Sequence, residues 1–426
     1  MNKLRQANIS LRHMTTQTLT LEDVRNSRTK TDRRAIPRFS VIHDRVRGLY
    51  SALCSGWKCH CHSEHIISLR LEPRIEDESS DQDDDEDGED DDTSSMRHLF
   101  RVFFRYNHHP SVEIGNRIVP WTCEEADVRL TPTSQPGSKP LLKSGDEAGM
   151  RGVRFASQAK KAVKASLDPK PDLHPIQNLC AAIQKLQNPQ RDICLSLLAT
   201  EYAEQKYGVF IYPLKEPRVD LNPESILSLR NALKDSQFTR HDRLRLAVTL
   251  ASSVLQLHET PWLEDNWGKD TIFFISRGEK MTYEHPFVSR SPGGEVDQSN
   301  SESVRNSMSK IIRNQTLYAL GISLIELWYK KPLQELYRPE DGPLDSGDPL
   351  TSIMTEWNAA NRLVDELYDD AGEKFTNAVR RCIRCDFDHR SSSLKDGEFQ
   401  KAVYRGVVAQ LQENFEFLFQ ESYKSI

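Results

Sequence analysis

Six cysteine and histidine side chains that could together bind a metal ion crowd one short stretch of the chain: Cys54, Cys59, His60, Cys61, His62 and His65. A structural zinc ion takes four nitrogen or sulfur ligands in a tetrahedron, usually from paired C-x-x-C spacings. Cys59 and Cys61 lie two positions apart, so a strand would direct both thiols to one face, and His65 joins them only through a bend. These three residues are weak metal candidates. The preferred interpretation is buried thiols and surface histidines, with no metal and no other cofactor.

The cysteines also bear on the compartment, because the chain contains 8 of them. The N-terminal sequence MNKLRQANISLRHMTTQ lacks the apolar stretch of a signal peptide, so we expect an intracellular location, cytoplasmic or nuclear, where thiols stay reduced. Cys382 and Cys385 lie one helical turn apart and are predicted to be core residues rather than disulfide partners. No apolar run approaches the roughly 18 to 20 residues of a membrane span, so none is expected.

The net charge of −6 over 426 residues conceals a strong segregation of charge. Residues 76–92 contain 13 acidic side chains and no basic one, so the rest of the chain carries +7. Like charges at this density repel one another and bury little surface, which predicts a disordered, solvated insert at 76–95. The alternative is an acidic decoy that contacts basic partners or the chain's own N-terminal arm.

The first 40 residues are polar and basic, and they predict a disordered arm. Their basic side chains cluster in the second half of this segment: Arg25, Arg28, Lys30, Arg33, Arg34 and Arg38. Such clusters can bind nucleic acid, but here no aromatic side chains alternate with them to stack on bases. Nucleic-acid binding is therefore not the preferred interpretation.

The N-terminal half of the chain has mixed helical and strand character. Residues 41–57 space their apolar side chains as one amphipathic helix. Residues 65–71 and 99–106 are predicted to form a β-hairpin whose turn is expanded by the acidic insert, because the free-energy cost of a loop grows only logarithmically with its length. Further short strands are predicted at 117–119 and 152–155, in a stretch otherwise punctuated as loop by proline and glycine.

The C-terminal half is predicted to be mostly helical. Its longest signal, at 243–258, repeats alanine and leucine on one face and predicts a core helix. The other predicted elements are helices at 176–186, 225–233, 317–329, 355–368, 373–382 and 396–419, strands at 207–212 and 271–275, and a loop at 289–309. The change from mixed to mostly helical character predicts three parts of the chain. They are the arm at 1–40, a partly β small lobe with an N-terminal helix at 41–212, and a helical lobe at 213–426.

Three strings in the C-terminal half resemble parts of the larger lobe of a protein kinase. SVLQLH at 253–258 resembles the end of the helix before the catalytic loop, and LYALGISLIEL at 317–327 resembles the central helix of that lobe. RCIRCDFDHRS at 381–391 is similar to a late segment of the same lobe. The resemblance implies an α+β, protein-kinase-like two-lobed fold, with a small mixed N-terminal lobe and a mainly helical C-terminal lobe.

Longer strings are similar to a fungal family of unknown function that has a degenerate kinase-like C-terminal region. They are WKCHCHSEHIISLRLE at 57–72, RLRLAVTLASSVLQLHETPWL at 243–263 and WGKDTIFF at 267–274. Related proteins are associated with heterokaryon incompatibility and prion-type signalling. A longer helical region commonly precedes these strings in the family, so an N-terminal effector activity of this chain stays an open question.

The resemblance also indicates where a catalytic site would lie and what it lacks. Counted from His258, the catalytic aspartate of a kinase would fall near Asn266 and its metal-binding asparagine near Thr271. A shift of one residue offers Asp265 and Asp270, with Lys269 between them. This carboxylate pair could bind a cation. However, the chain has no His-Arg-Asp, no Asp-Phe-Gly, no Gly-rich phosphate loop and no Val-Ala-x-Lys strand, which phosphoryl transfer requires.

The preferred function is therefore a non-catalytic, pseudokinase-like interaction or regulatory module in fungal signalling or incompatibility, with a protein partner that the sequence does not identify. Asp265, Lys269 and Asp270 are then degenerate remnants of a catalytic segment. The alternatives are an atypical kinase or nucleotide-binding switch, and a metal- or nucleic-acid-binding protein.

Four residues near these strings are expected to be structural. Trp262 and Trp267 are predicted to anchor the core, because large aromatic side chains mainly supply buried area. His258 is predicted to be a satisfied core histidine rather than a base. Arg390 is predicted to form a buried ion pair that ties helices together.

Overall fold

The fold is taken from a computed structural model, which describes residues 39–57, 64–74, 99–107, 123–132, 176, 178–186, 197–202, 205–213, 226–264, 267–276, 282–291, 308–309, 311–343, 348–387 and 391–420. The basic arm, the acidic insert and the strands predicted at 117–119 and 152–155 lie outside these residues. Among the described residues, no helix has the length and apolar character needed to cross a membrane.

The fold is mixed α and β, with one antiparallel sheet and a mostly helical C-terminal part. The strands are β1 (Glu64–Arg70), β2 (Leu99–Asn107), β3 (Cys123–Pro132), β4 (Leu197–Tyr202), β5 (Gln205–Pro213), β6 (Ile226–Ser228), β7 (Ile272–Ile275) and β8 (Phe287–Arg290). They form an eight-stranded sheet in the order β4-β5-β3-β2-β1-β8-β7-β6. Every neighbouring pair is antiparallel.

The described residues also form helices, most of them in the C-terminal half of the chain. They are α1 (Phe39–Gly56), α2 (Leu179–Leu186), α3 (Leu229–Ala232), α4 (Arg240–Leu257), α5 (Gln315–Tyr329), α6 (Pro349–Ala371), α7 (Glu373–Arg384), α8 (Gly397–Val403) and α9 (Ala409–Gln420), with a π-helical turn at Tyr404–Val408 and short 3₁₀ turns at Leu333–Leu336 and Pro339–Asp341. All the predicted helices except the one at 225–233 are confirmed, although the one predicted at 355–368 begins earlier, at Pro349. The one predicted at 396–419 consists of α8, the π-helical turn and α9.

The predicted hairpin of β1 and β2 is confirmed. The two strands pair along most of their length, with Ile67 opposite Phe104. Both of these side chains are fully buried. Beyond the ends of the strands, Arg74 closes the hairpin, because its Nη2 donates to the Leu99 carbonyl at 2.6 Å and its guanidinium group lies over the Phe100 ring. The hairpin is therefore held by residues that flank the acidic insert.

Strand β3 corrects the prediction of a loop between the short strands predicted at 117–119 and 152–155. The strand alternates buried Ala126 and Val128 with charged residues, which hide its strand character in the sequence. Arg101 of β2 stands directly opposite Asp127 and donates two hydrogen bonds to its carboxylate, at 2.8 and 3.2 Å. The two charges neutralise one another only when β2 and β3 are paired, so the sequence alone does not show that this charged segment is a strand.

Two other predictions are wrong in part. Residues 226–228 of the predicted helix form strand β6, and only Leu229–Ala232 is helical, because the Ser228 hydroxyl accepts from the Asn231 N–H and caps the helix there. Strand β8 overlaps the loop predicted at 289–309. Its Phe287 and Val288 are buried and its backbone pairs with both β1 and β7.

Helix α4 is the centre of the helical part, as predicted, but it is buried on almost every side rather than on one face. Every residue from Leu246 to Leu257 is buried, and the helix contacts α1, α5, α9 and the π-helical turn. It begins with a capping box in which Thr239 and Asp242 bond one another's backbone N–H groups. Gln256 lies inside this core, where its side-chain amide donates to the Glu72 carbonyl at 2.9 Å and to Ser252 Oγ at 3.0 Å.

The larger hydrophobic core includes side chains from both halves of the chain, from Phe39 in α1 to Leu411 in α9. The sheet also takes strands from both sides of residue 213, because β8 of the C-terminal half pairs with β1 of the N-terminal half. The division into lobes at 212 and 213 stays a prediction.

Candidate functional site

The segment between α4 and β7 carries most of the predicted site residues, and two tryptophans fix it in place. Trp262 is fully buried, and its Nε1 donates to the Val46 carbonyl of α1 at 2.9 Å. Trp267 is also buried, and its Nε1 donates to the Thr316 carbonyl of α5 at 3.3 Å. Both are core anchors, as predicted, and they attach the two ends of the segment to different helices. Asp265 and Asn266 lie outside the described residues.

Lys269 turns inward and forms a buried ion pair. Its ammonium group donates to Glu326 Oε1 of α5 at 2.6 Å, and the Glu326 side chain is only 1% exposed to solvent. The same oxygen accepts the backbone N–H of Leu333 at 2.8 Å. Because both charges are buried, neither can leave the pair without stranding the other in a medium of low dielectric constant. Lys269 therefore has a structural role, and its ammonium group stays bound to Glu326.

Asp270 is held in a second ion pair, on the surface. Its two carboxylate oxygens accept from Nε and Nη2 of Arg230, each at 2.6 Å. These hydrogen bonds lower the pKa of Asp270 below its ordinary value. The backbone N–H of Arg230 also donates to the Lys269 carbonyl at 3.1 Å, which fixes the segment against α3. Unlike Lys269, the Asp270 side chain is 61% exposed, so solvent can compete for this pair.

A second acidic residue, not predicted from the sequence, lies near the buried pair. Burial raises the pKa of Glu356 in α6, and the negative charge of Glu326 acts in the same direction. Lys269 and the hydroxyl of Tyr318 oppose this effect. One lysine thus lies near two carboxylates of different helices. Two signals could have indicated this cluster: Glu326 interrupts an otherwise apolar helix, and Glu356 shares a helical face with the buried Ala360 and Leu363 of α6.

His258, at the end of α4, is a core histidine whose hydrogen bonds are incomplete. Its ring lies 5.0 Å from that of His43, whose Nε2 donates to the His258 carbonyl at 3.0 Å. The Gln400 amide donates to His258 Nε2, which leaves the ring proton on Nδ1, where no acceptor exists among the described residues. Burial, and then the neighbouring His43, lower the pKa of His258 to about 4, so the ring is neutral at physiological pH.

The candidate metal ligands are only partly described. Cys59, Cys61 and Arg390 lie outside the described residues, whereas His65 lies in β1 opposite Tyr106 and packs on Trp57 with ring centroids 4.3 Å apart. Burial lowers the pKa of His65. Cys382 and Cys385 are buried thiols of the core, as predicted. Within the described part of the chain, no group of three or more histidine, cysteine, aspartate or glutamate side chains could hold a metal ion.

Comparison with known sequences gives a family but no characterised relative. No curated protein matches the chain. The model of one family, described as a domain of unknown function, DUF7580, matches residues 146–417. The match begins after β3 and ends inside α9, so it includes α4, the segment with Lys269 and Asp270, and the helices that carry Glu326 and Glu356. Because it covers more than half of the sequence, this chain belongs to the DUF7580 family.

Proposed function

We propose that this chain is a non-catalytic, pseudokinase-like module that acts by binding or regulating a protein partner. One observation carries the proposal: the two described remnants of the would-be catalytic segment, Lys269 and Asp270, are each bound to an oppositely charged side chain of the fold. Phosphoryl transfer needs a lysine on the phosphates and carboxylates that hold magnesium. In this fold Lys269 is held in a buried pair with Glu326 and Asp270 is bound to Arg230, so neither is presented to a phosphate or a magnesium ion.

The kinase-like part of the proposal is supported by the order of the elements. A long buried helix, a short connection, a pair of short strands and a second buried helix follow one another as α4, the chain between α4 and β7, β7 with β8, and α5. This is the order of the larger lobe of a kinase. The fungal signalling or incompatibility setting rests on the similarity of the three longer strings and belongs to the same proposal.

An atypical nucleotide-binding switch is the second candidate, and one observation favours it. The Arg230–Asp270 pair is solvent-exposed, so opening it costs only about 0–1 kcal/mol. A magnesium nucleotide could therefore release Asp270 from Arg230 at little cost, whereas it could not release Lys269 from Glu326.

A thermal-shift experiment with ATP and magnesium separates the two candidates. At about 1 mM, a nucleotide that binds with a dissociation constant near 10 µM would stabilise the fold by about 2.7 kcal/mol. We expect no rise in Tm, and no transfer of labelled phosphate to the chain or to general substrates. Asp265→Asn and Asp270→Asn should change none of these results.

The matched control is Asp365→Asn, which removes another exposed aspartate bonded to an arginine, Arg384 of α7. ATP-dependent stabilisation that persists in Asp365→Asn and disappears in Asp270→Asn would refute the non-catalytic proposal and establish nucleotide binding at Asp270.

A further inference from the structure

A small cleft lies between the first turn of α4 and the last turn of α5, away from the segment described above. Its volume is about 230 Å³, and it is lined by Arg240, Arg243, Leu244, Leu327 and Trp328. Two of the five lining residues are arginines and one is a tryptophan. The chemistry of the cleft therefore depends on what neutralises the two guanidinium groups.

Both guanidinium groups are held in place by uncharged partners. Arg243 Nη1 donates to the carbonyl oxygens of Leu327 and Trp328, at 2.6 and 2.7 Å, where the end of α5 leaves its carbonyls without helical partners. The Arg240 guanidinium lies 4.7 Å from the centre of the Trp328 ring. An arginine placed over an aromatic ring keeps the N–H groups at its edge available for bidentate bonds.

No carboxylate neutralises either arginine within the described part of the chain. By contrast, Arg245, two positions after Arg243 in α4, is neutralised by a carboxylate, because its Nη1 donates to Glu284 Oε1 at 2.9 Å. The nearest acidic residue in sequence, Asp242, is engaged with the backbone N–H and hydroxyl of Thr239 in the helix cap. Burial and the nearby charge of Arg240 both lower the pKa of Arg243. The two cations thus repel one another, and an anion between them would remove that repulsion.

We propose that this cleft binds the phosphate or carboxylate group of an acidic side chain presented by a protein partner. The inference rests on the proposed function, because it gives the chemistry by which an interaction module would recognise its partner. The cleft is smaller than the roughly 300–1,000 Å³ typical of pockets for drug-sized ligands, which suits a single anionic group better than a whole nucleotide. Arginine is the residue best suited to such a group, because its fork of donors matches two oxygens of a phosphate or carboxylate.

The test uses the full chain and a pool of fluorescent phosphoserine peptides with randomised flanking residues, followed by fluorescence anisotropy at low salt. The unphosphorylated pool, a pool with aspartate at the central position and inorganic phosphate serve as the other probes. We expect saturable binding of the phosphoserine pool, weaker binding of the aspartate pool and no binding of the serine pool. Arg240→Gln should weaken phosphoserine binding at least tenfold, and Arg240→Lys should weaken it less, because lysine keeps the charge and loses the fork.

Arg245→Gln is the matched control, because it removes the same charge from an exposed position of the same helix. It should change the affinity less than twofold. Absence of saturable binding to the phosphoserine pool, or equal losses in Arg240→Gln and Arg245→Gln, would overturn the proposal. If inorganic phosphate binds as tightly as the peptides, the proposal that the anion is carried by a protein partner is wrong.

This inference and the proposed function fail separately. ATP stabilisation that is lost in Asp270→Asn would refute the non-catalytic proposal without changing the anisotropy of Arg240→Gln. Conversely, a failed peptide experiment would leave the ion pairs of Lys269 and Asp270, and the ATP result, unchanged.

Discussion

The two neighbouring residues Lys269 and Asp270 form ion pairs of very different energetic weight. The Lys269–Glu326 pair is buried, whereas the Arg230–Asp270 pair faces solvent. In the sequence, Lys269 and Asp270 are candidates because they follow the long helix that resembles the one before a kinase catalytic loop. Their partners lie 57 and 40 positions away, and no local pattern connects them. The sequence therefore indicates the two candidate residues, but it does not show that Glu326 and Arg230 bind their side chains.

Lys269→Met should destabilise the fold strongly, because it leaves Glu326 charged, buried and without its cation. The expected loss is about 3–5 kcal/mol in the free energy of unfolding, measured by urea denaturation. Asp270→Asn breaks the exposed pair next to it and should cost about 0–1 kcal/mol. Similar losses in the two variants would contradict the buried position of Lys269.

Glu356→Gln should change how stability depends on pH. Burial holds the pKa of Glu356 above its ordinary value, so the stability it contributes is complete below the pKa of the unfolded chain, about 4.3, and is lost as pH rises through the raised pKa of the folded chain. Glutamine cannot ionise and avoids this loss. We therefore expect a higher Tm than that of the wild type at neutral and alkaline pH, and no gain below about pH 4.

Asp369→Asn, at an exposed position of the same helix, is the control for this measurement. A pH profile of Glu356→Gln that runs parallel to those of the wild type and of Asp369→Asn would show that folding does not shift the pKa of the Glu356 carboxyl, which would contradict the effect of its burial.

At the scale of elements, the sequence predicts the helices much better than the strands. Helices α4 and α5 are long and apolar, and their spacing is sufficient to define them. Strand β3 carries four charged residues, and strands β6 and β8 have only three and four residues each. Such segments become strands because neighbouring strands pair with them and neutralise or cover their side chains, and a single sequence does not contain that information.

Gln256→Glu tests how completely α4 is buried. A helix with one solvent-facing side would tolerate this substitution, whereas the structure places the Gln256 amide between Glu72 and Ser252 in the core. A carboxylate there cannot donate and would face the Glu72 carbonyl, so we expect a loss of about 1–3 kcal/mol or more. Leu250→Asp, Ala251→Asp and Val254→Asp should be more damaging still, because each would bury a carboxylate among apolar side chains.

Arg245→Gln, at an exposed position of α4, should leave the free energy of unfolding nearly unchanged in the same denaturation series. Equal stability of Gln256→Glu and Arg245→Gln would place Gln256 at the surface and contradict the packing of the helix.

At the scale of the whole molecule, the acidic insert should be dispensable for folding. The hairpin of β1 and β2 is held by its own register and by Arg74, which bonds Leu99 across the base of the insert. Replacing residues 76–95 with a short Gly-Ser loop should therefore leave the Tm within a few degrees and the unfolding transition as sharp as before. A second variant carries the same loop together with Arg74→Gln, and its Tm should be lower. This difference separates the contribution of Arg74 from that of the insert.

The central place of β1 in the sheet has a consequence for how the protein is made. Strand β1 ends at Arg70, whereas its second neighbour, β8, begins at Phe287. A ribosome that adds about 5–20 residues per second needs roughly 10–40 s to produce the chain between them. During that time one edge of β1 has no strand beside it, and unpaired edges attract other chains. We therefore expect nascent chains of this protein to depend on chaperones until about residue 290 has emerged, and yields in cells to fall when translation is slowed within this interval.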